Sequence, residues 1–154
     1  MSLRIRPVTD ADLDAIAALH FAGNEDVALE EPLLPVGPPG DSVATFREQL
    51  EGELTLDDNH HLAAELDGVC VGWGHALVAF EPDGPRVGYV SALYVARGAR
   101  RKGVGTALLD ATVAWLKQQE VERIQLTAVS RAASRALWLK RGFRPFTETL
   151  VLAP

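Results

Sequence analysis

The stretch Ala96–Leu116, "ARGARRKGVGTALLDATVAWL", decides how this chain is read. Three consecutive cations, Arg100, Arg101 and Lys102, stand against Gly103 and Gly105 at the start of an amphipathic run. In that run Val104, Ala107, Leu108, Ala111 and Trp115 share one helical face, which predicts a helix packed on a sheet with its N-terminus near Gly103. The first turn of such a helix has N–H groups without internal acceptors and carries partial positive charge. Glycines let an anion come close to that backbone, and the cations add charge. The stretch therefore reads as a phosphate or pyrophosphate cradle.

Outward from the cradle the pattern alternates between the two periods. Upstream, "VGYVSALYV" reads as a strand, preceded by the turn "EPDGPR" and by "HHLAAEL" and "VCVGWGHALVAF", two strands flanking Asp67-Gly68, a strong hairpin signal. Further upstream, "LRIRPV" alternates like a half-buried strand, and Thr9 with Asp12 starts a helix whose apolar face is Leu13, Ile16, Ala17 and Leu19 and which Gly23 offers to stop. Residues 24–41 hold five acidic residues, four prolines and two glycines and read as a loop; a second helix follows in "SVATFREQLEGEL". Downstream come the strand "RIQLTAV", a short helix "AASRALWLKR" ended by Gly142, and an extended segment through "TETLVL". The order predicts one mixed α/β domain over residues 1–154.

Composition bounds what the anion can be. The chain has 154 residues, 47% hydrophobic and 23% charged, values of an ordinary globular domain. No window approaches a membrane span and the N-terminus lacks a signal-peptide core, so the expected location is cytoplasmic, with no membrane partner. Cys70 is the single cysteine and lies in an apolar run, which points to a buried strand residue. Charge divides along the chain: through Gly88 there are 17 acidic residues against 4 Lys or Arg, and from Tyr89 onward 4 against 11, within a net charge of -6. Such a split suits one surface for an anion and another for a cation. The basic residues cluster around a phosphate-sized cradle without interleaved aromatics, which speaks against nucleic acid. His20, His60, His61 and His75 show no metal-ligand spacing, and no metal is expected.

Three phosphate motifs compete for the cradle. A Walker A loop fails because Val104 stands where its lysine belongs, and a dinucleotide fingerprint fails because Leu108 replaces its third glycine. What fits is Arg100-x-x-Gly103-x-Gly105 after a strand ending "LYV". With "LWLKRGF" some thirty residues later, the chain resembles the GCN5-related N-acetyltransferase (GNAT) superfamily. The resemblance implies an α+β fold with a mixed, mostly antiparallel sheet of six to seven strands flanked by about four helices. It also implies acetyl-CoA as cofactor and transfer of an acetyl group to a primary amine.

Carried over residue by residue, the resemblance gives the cofactor pyrophosphate to the main chain of Arg101, Lys102, Gly103, Val104, Gly105 and Thr106, with charge from Arg100, Arg101 and Lys102. It gives the pantetheine arm to the main chain of Leu93 and Val95, and the thioester carbonyl to an N–H of Leu93 or Tyr94. In the second motif Arg131, Ser134 and Trp138 occupy the family's Asn, Ala and Tyr positions. Trp138 cannot replace the Tyr as general acid, because an indole N–H donates a hydrogen bond without being a usable acid. Either the thiolate leaves with a hydrogen bond or a water, or Ser134, one helical turn before Trp138, relays a proton. The base is open among Tyr89, Glu81, Asp83 and His75. An acceptor cation is expected to meet Glu25, Asp26, Glu30, Glu31 and Asp41; homodimers are common among similar proteins. The alternative is a non-catalytic acyl-CoA-binding or regulatory module.

Overall fold

The computed structural model describes residues 1–34, 43–130 and 132–154. Five strands, β1 (Leu3–Pro7), β2 (Asn59–Leu66), β3 (Val69–Phe80), β4 (Arg86–Val95) and β5 (Arg123–Gln125), form one sheet in the order β1-β2-β3-β4-β5. The first four are antiparallel and β5 runs parallel to β4. The helices are α1 (Leu13–Glu30), α2 (Val43–Glu53), α3 (Val104–Gln118) and α4 (Arg135–Lys140). This is the expected α+β architecture with fewer strands. "TETLVL" pairs with no strand among the described residues, and Leu150, Val151 and Leu152 are 89%, 69% and 89% exposed. The strand in "RIQLTAV" stops at Gln125, where its pairing with β4 ends at Tyr89. None of the described helices is long and apolar enough to cross a membrane.

Each face of the sheet carries its own core. On one face Ile16, Ala17 and Leu19 of α1 and Phe46 and Leu50 of α2 pack on Ala63 and Trp73. On the other, Val104, Leu108, Leu109 and Leu116 of α3 lie against Ala64, Ala76, Val78 and Val90, with Trp138 of α4 at the margin. The buried face of α3 is turned from the expected one: Thr112 and Leu116 are fully buried where Ala111 and Trp115 were expected. Thr112 can be buried because its hydroxyl donates to the Leu108 carbonyl at 2.7 Å. Gly74 of β3 makes room for it, since a Cβ there would come 2.9 Å from both Thr112 Oγ1 and Leu108 Cδ2.

Two local expectations about α1 are corrected. Gly23 does not stop the helix, which runs to Glu30 and takes up the first seven residues of the segment read as a loop. Gly23 is small because the Tyr94 ring lies against it, 3.1 Å from where a Cβ would be. The helix ends instead at Glu31, which precedes Pro32 and adopts φ -143° and ψ 93°, outside the helical region. The Asp67-Gly68 hairpin forms as expected, with φ 50° and 85° at the two turn residues.

Candidate functional site

The site begins with a defect in β4. Across the β3–β4 ladder His75 pairs with Ala92 but Ala76 pairs with Val90, so Ser91 is an extra, exposed residue, a β-bulge. The bulge reverses which residues face which side. Before it, Val90 belongs to the α3 side; after it, Leu93 and Val95 do, while Ala92 and Tyr94 turn to the α1 side.

Pairing with β5 ends at the same place, at Tyr89↔Gln125, so residues 90–95 of β4 have one edge without a neighbouring strand among the described residues. The Ala96 N–H donates to Val71 across β3, which places Tyr94, two residues back, in the same ladder with its main-chain groups toward β3. By the same alternation the N–H and C=O groups of Leu93 and Val95 point to the free edge. Of the two residues expected at the thioester carbonyl, Leu93 therefore presents its N–H and Tyr94 does not.

Beyond the free edge the chain folds into the cradle. Arg101 and Gly103 adopt left-handed conformations, φ 61° and 79°, the alternation that turns successive N–H groups toward one point. The first bond into α3 runs from the Ala107 N–H to the Gly103 carbonyl, so the N–H groups of Val104, Gly105 and Thr106 leave the helix end unbonded. A non-glycine residue at positive φ is a strain of about 1 kcal/mol or more that persists only where the surroundings impose it. Strained backbone, orphaned donors and cations in one place fit a phosphate group. A Cβ on Gly105 would point between Val95 and Leu137 at 3.7 and 3.8 Å, so this glycine faces the space between β4 and α4.

The cations are not equally available. Arg101 and Lys102 are exposed, whereas Arg100 donates through Nε to the Val95 carbonyl (2.9 Å) and through Nη2 to Asp26 Oδ2 (2.7 Å). Asp26 also takes Arg97 on its other oxygen. These two guanidinium groups outweigh burial and keep the Asp26 carboxyl below its ordinary range. Burial, with Asp26 alongside, pushes the Tyr94 hydroxyl up. Asp26 was expected at an acceptor site, and the fold brings it to the loop between β4 and α3. Asp41 and Arg131 lie outside the described residues.

Trp138 is buried among Leu109, Leu116, Val90 and Phe143, and its indole N–H has no partner among the described residues. Ser134 is exposed at the N-cap of α4. Tyr89 is half-buried, two residues before the bulge. Glu81 and Asp83 sit in the β3–β4 turn; Glu81 is paired with Arg123, and Asp83 lies roughly 25 Å of extended chain from Ser91. His75 is the one of these candidates directly across from the bulge.

One cluster had no signal in residue spacing, because it is made across strands. Ligand atoms of Glu53, His61 and His75 lie within 4.8 Å of one another. Trp73 Nε1 donates to His61 Nδ1 at 3.2 Å, which puts the proton of neutral His61 on Nε2, 2.8 Å from Glu53. His75 Nε2 is 2.6 Å from Asn59 Oδ1, an acceptor, so it too carries its proton. Both nitrogens that face Glu53 are thus donors without a lone pair for a metal, and the stacked rings, 3.9 Å apart, cannot both point at one ion. The cluster anchors the end of α2 to the sheet by hydrogen bonds.

Residues 27–143 match the family described as the acetyltransferase (GNAT) family. No curated protein matches the chain. Among solved structures, the fold is shared with a predicted acetyltransferase from Clostridium acetobutylicum solved with acetyl-CoA (TM-score 0.78, 19% identity, 99% of this chain and 96% of that one). It is shared also with an aminoglycoside N-acetyltransferase, AAC(6')-Iy, in complex with CoA (0.76, 17%, 99% and 95%). A third is a mutant of the BH1408 protein from Bacillus halodurans (0.84, 18%, 98% and 99%).

Proposed function

The chain belongs to the acetyltransferase (GNAT) family, and from that premise we propose that residues 1–154 form one domain that transfers the acetyl group of acetyl-CoA to a primary amine by direct attack on the thioester. Acetyl-CoA, the co-substrate of this family, supplies an activated acyl group and a thiolate leaving group. The observation that carries the reading is the continuity of two features: the free edge of β4 runs into the N–H cradle at Arg101–Thr106. An arm paired on the edge at Leu93 and Val95 would have its pyrophosphate at the cradle.

In this reading the Leu93 N–H donates to the thioester carbonyl oxygen as negative charge develops there. Arg101, Lys102 and the main chain through Thr106 hold the phosphates. Trp138 walls the slot from the α4 side, and the leaving sulfur takes its proton from water or through Ser134. The amine arrives on the α1–α2 side, where Glu25, Glu30 and Glu31 favour a cation, and it gives up its proton toward Tyr89 or His75.

A second reading, a module that binds acyl-CoA without turning it over, is favoured by one observation: Trp138 stands in the core where a phenol would be the acid. Two measurements separate them. Calorimetry with CoA tests the cradle, and release of free thiol from acetyl-CoA is followed with polyamines, amino acids, aminoglycosides and peptide N-termini. Binding with amine-dependent thiol release supports the transferase. Binding without release for any amine supports the module, and no binding removes both.

A further inference from the structure

Two of the four cations between β4 and α3 are held by a residue from the other end of the fold. Asp26 lies in the last turns of α1, 71 and 74 residues before Arg97 and Arg100. Its carboxylate, 18% exposed, accepts from both arginines, one on each oxygen. Arg100 lies 5.3 Å over the Tyr94 ring, which in turn packs on Gly23 of α1. Its Nε holds the Val95 carbonyl, the last main-chain acceptor on the free edge of β4. Asp26, Arg100 and Val95 thus form a strap that ties α1 across one end of the edge.

Resting on the reading of the cradle as a CoA site, we propose that Asp26 is a positioning residue that competes with the cofactor's phosphates for Arg97 and Arg100, so that α1 is latched to the cofactor loop when the cofactor is absent. The arginines are mostly open to solvent, 67% and 43% exposed, so their bonds to a single carboxylate are weakened by water and salt. A phosphate carries more charge and offers a planar guanidinium two oxygens at once. Transfer of Arg100 from Asp26 to phosphate would also release the Val95 carbonyl to the arm of the cofactor. The last turns of α1 lose their anchor in the same step.

The test is the affinity of the purified chain and of Asp26→Asn for CoA and for inorganic pyrophosphate by calorimetry, with hydrogen exchange of residues 23–30. Asp26→Ser serves if Asp26→Asn disturbs α1, and Glu48→Gln removes the same charge from an exposed position of α2. Asp26→Asn is expected to bind both ligands about threefold to tenfold more tightly, while Glu48→Gln stays within about twofold. CoA should speed exchange of residues 23–30 in the parent and change little in Asp26→Asn, where exchange is already fast. Unchanged or weaker binding by Asp26→Asn, with CoA binding normal in the parent, overturns the inference and leaves the cofactor reading standing. A parent that binds no CoA overturns the cofactor reading itself.

Discussion

At the scale of single residues, the site depends on main chain more than on side chains. Arg101 has two roles: its positive φ bends the loop, and its exposed guanidinium, unlike that of Arg100, has no partner among the described residues. Arg101→Glu keeps the loop's geometry at similar backbone cost and places an anion beside the proposed pyrophosphate position. CoA should then bind roughly 10 to 100-fold more weakly, from the loss of a charge-assisted contact of about 1 to 3 kcal/mol. Calorimetry with CoA checks this, and unchanged affinity would remove the cradle. Trp138 shows the opposite limit of residue-level reading. Its place in the "LWLKRGF" motif was plain in the sequence, but only packing reveals that its N–H is shut in the core without an acceptor among the described residues.

Among the elements, α2 has an attachment that depends on protonation. Glu53 in its last turn accepts from His61, and His75 stacks on His61 from the next strand. Burial, and then the neighbouring His61, lower the His75 pKa to about 4, and burial lowers that of His61 as well. In the unfolded chain a histidine titrates near 6.5, so between pH 6.5 and about 4 the unfolded state binds more protons than the folded one. Stability is therefore full above about pH 6.5 and falls as the pH is lowered through this window, by on the order of 3 kcal/mol for His75. Urea midpoints measured from pH 7 to 4.5 should decline, and His75→Asn should flatten that decline. A parent whose midpoint is constant over the range would contradict the burial of neutral histidines. This network joins β2, β3 and α2, and a cross-strand cluster leaves no trace in the spacing of residues along one chain.

For the whole molecule, the core lies between two helices and the sheet on one face and α3 and α4 on the other, and the C-terminal residues contribute nothing to either. Removing residues 148–154, of which Leu150, Val151 and Leu152 are exposed, should shift the thermal midpoint by less than about 2 °C. A larger drop, followed by circular dichroism, would mean that the segment is packed. The sequence by itself determined the α+β order, the Asp67-Gly68 turn, the apolar face of α1 and the start of α3 at the basic, glycine-bearing loop. Those features are local, set by backbone preference and by periodicity within a few residues. Only the tertiary structure decided that β4 bulges at Ser91 and leaves β5 after Tyr89, that Gly23 accommodates Tyr94 within a continuing helix, and that Asp26 meets Arg97 and Arg100. Each of these depends on which distant segments come together, and a strand's register or an ion pair across more than 70 residues is fixed by packing, not by the order of the residues near it.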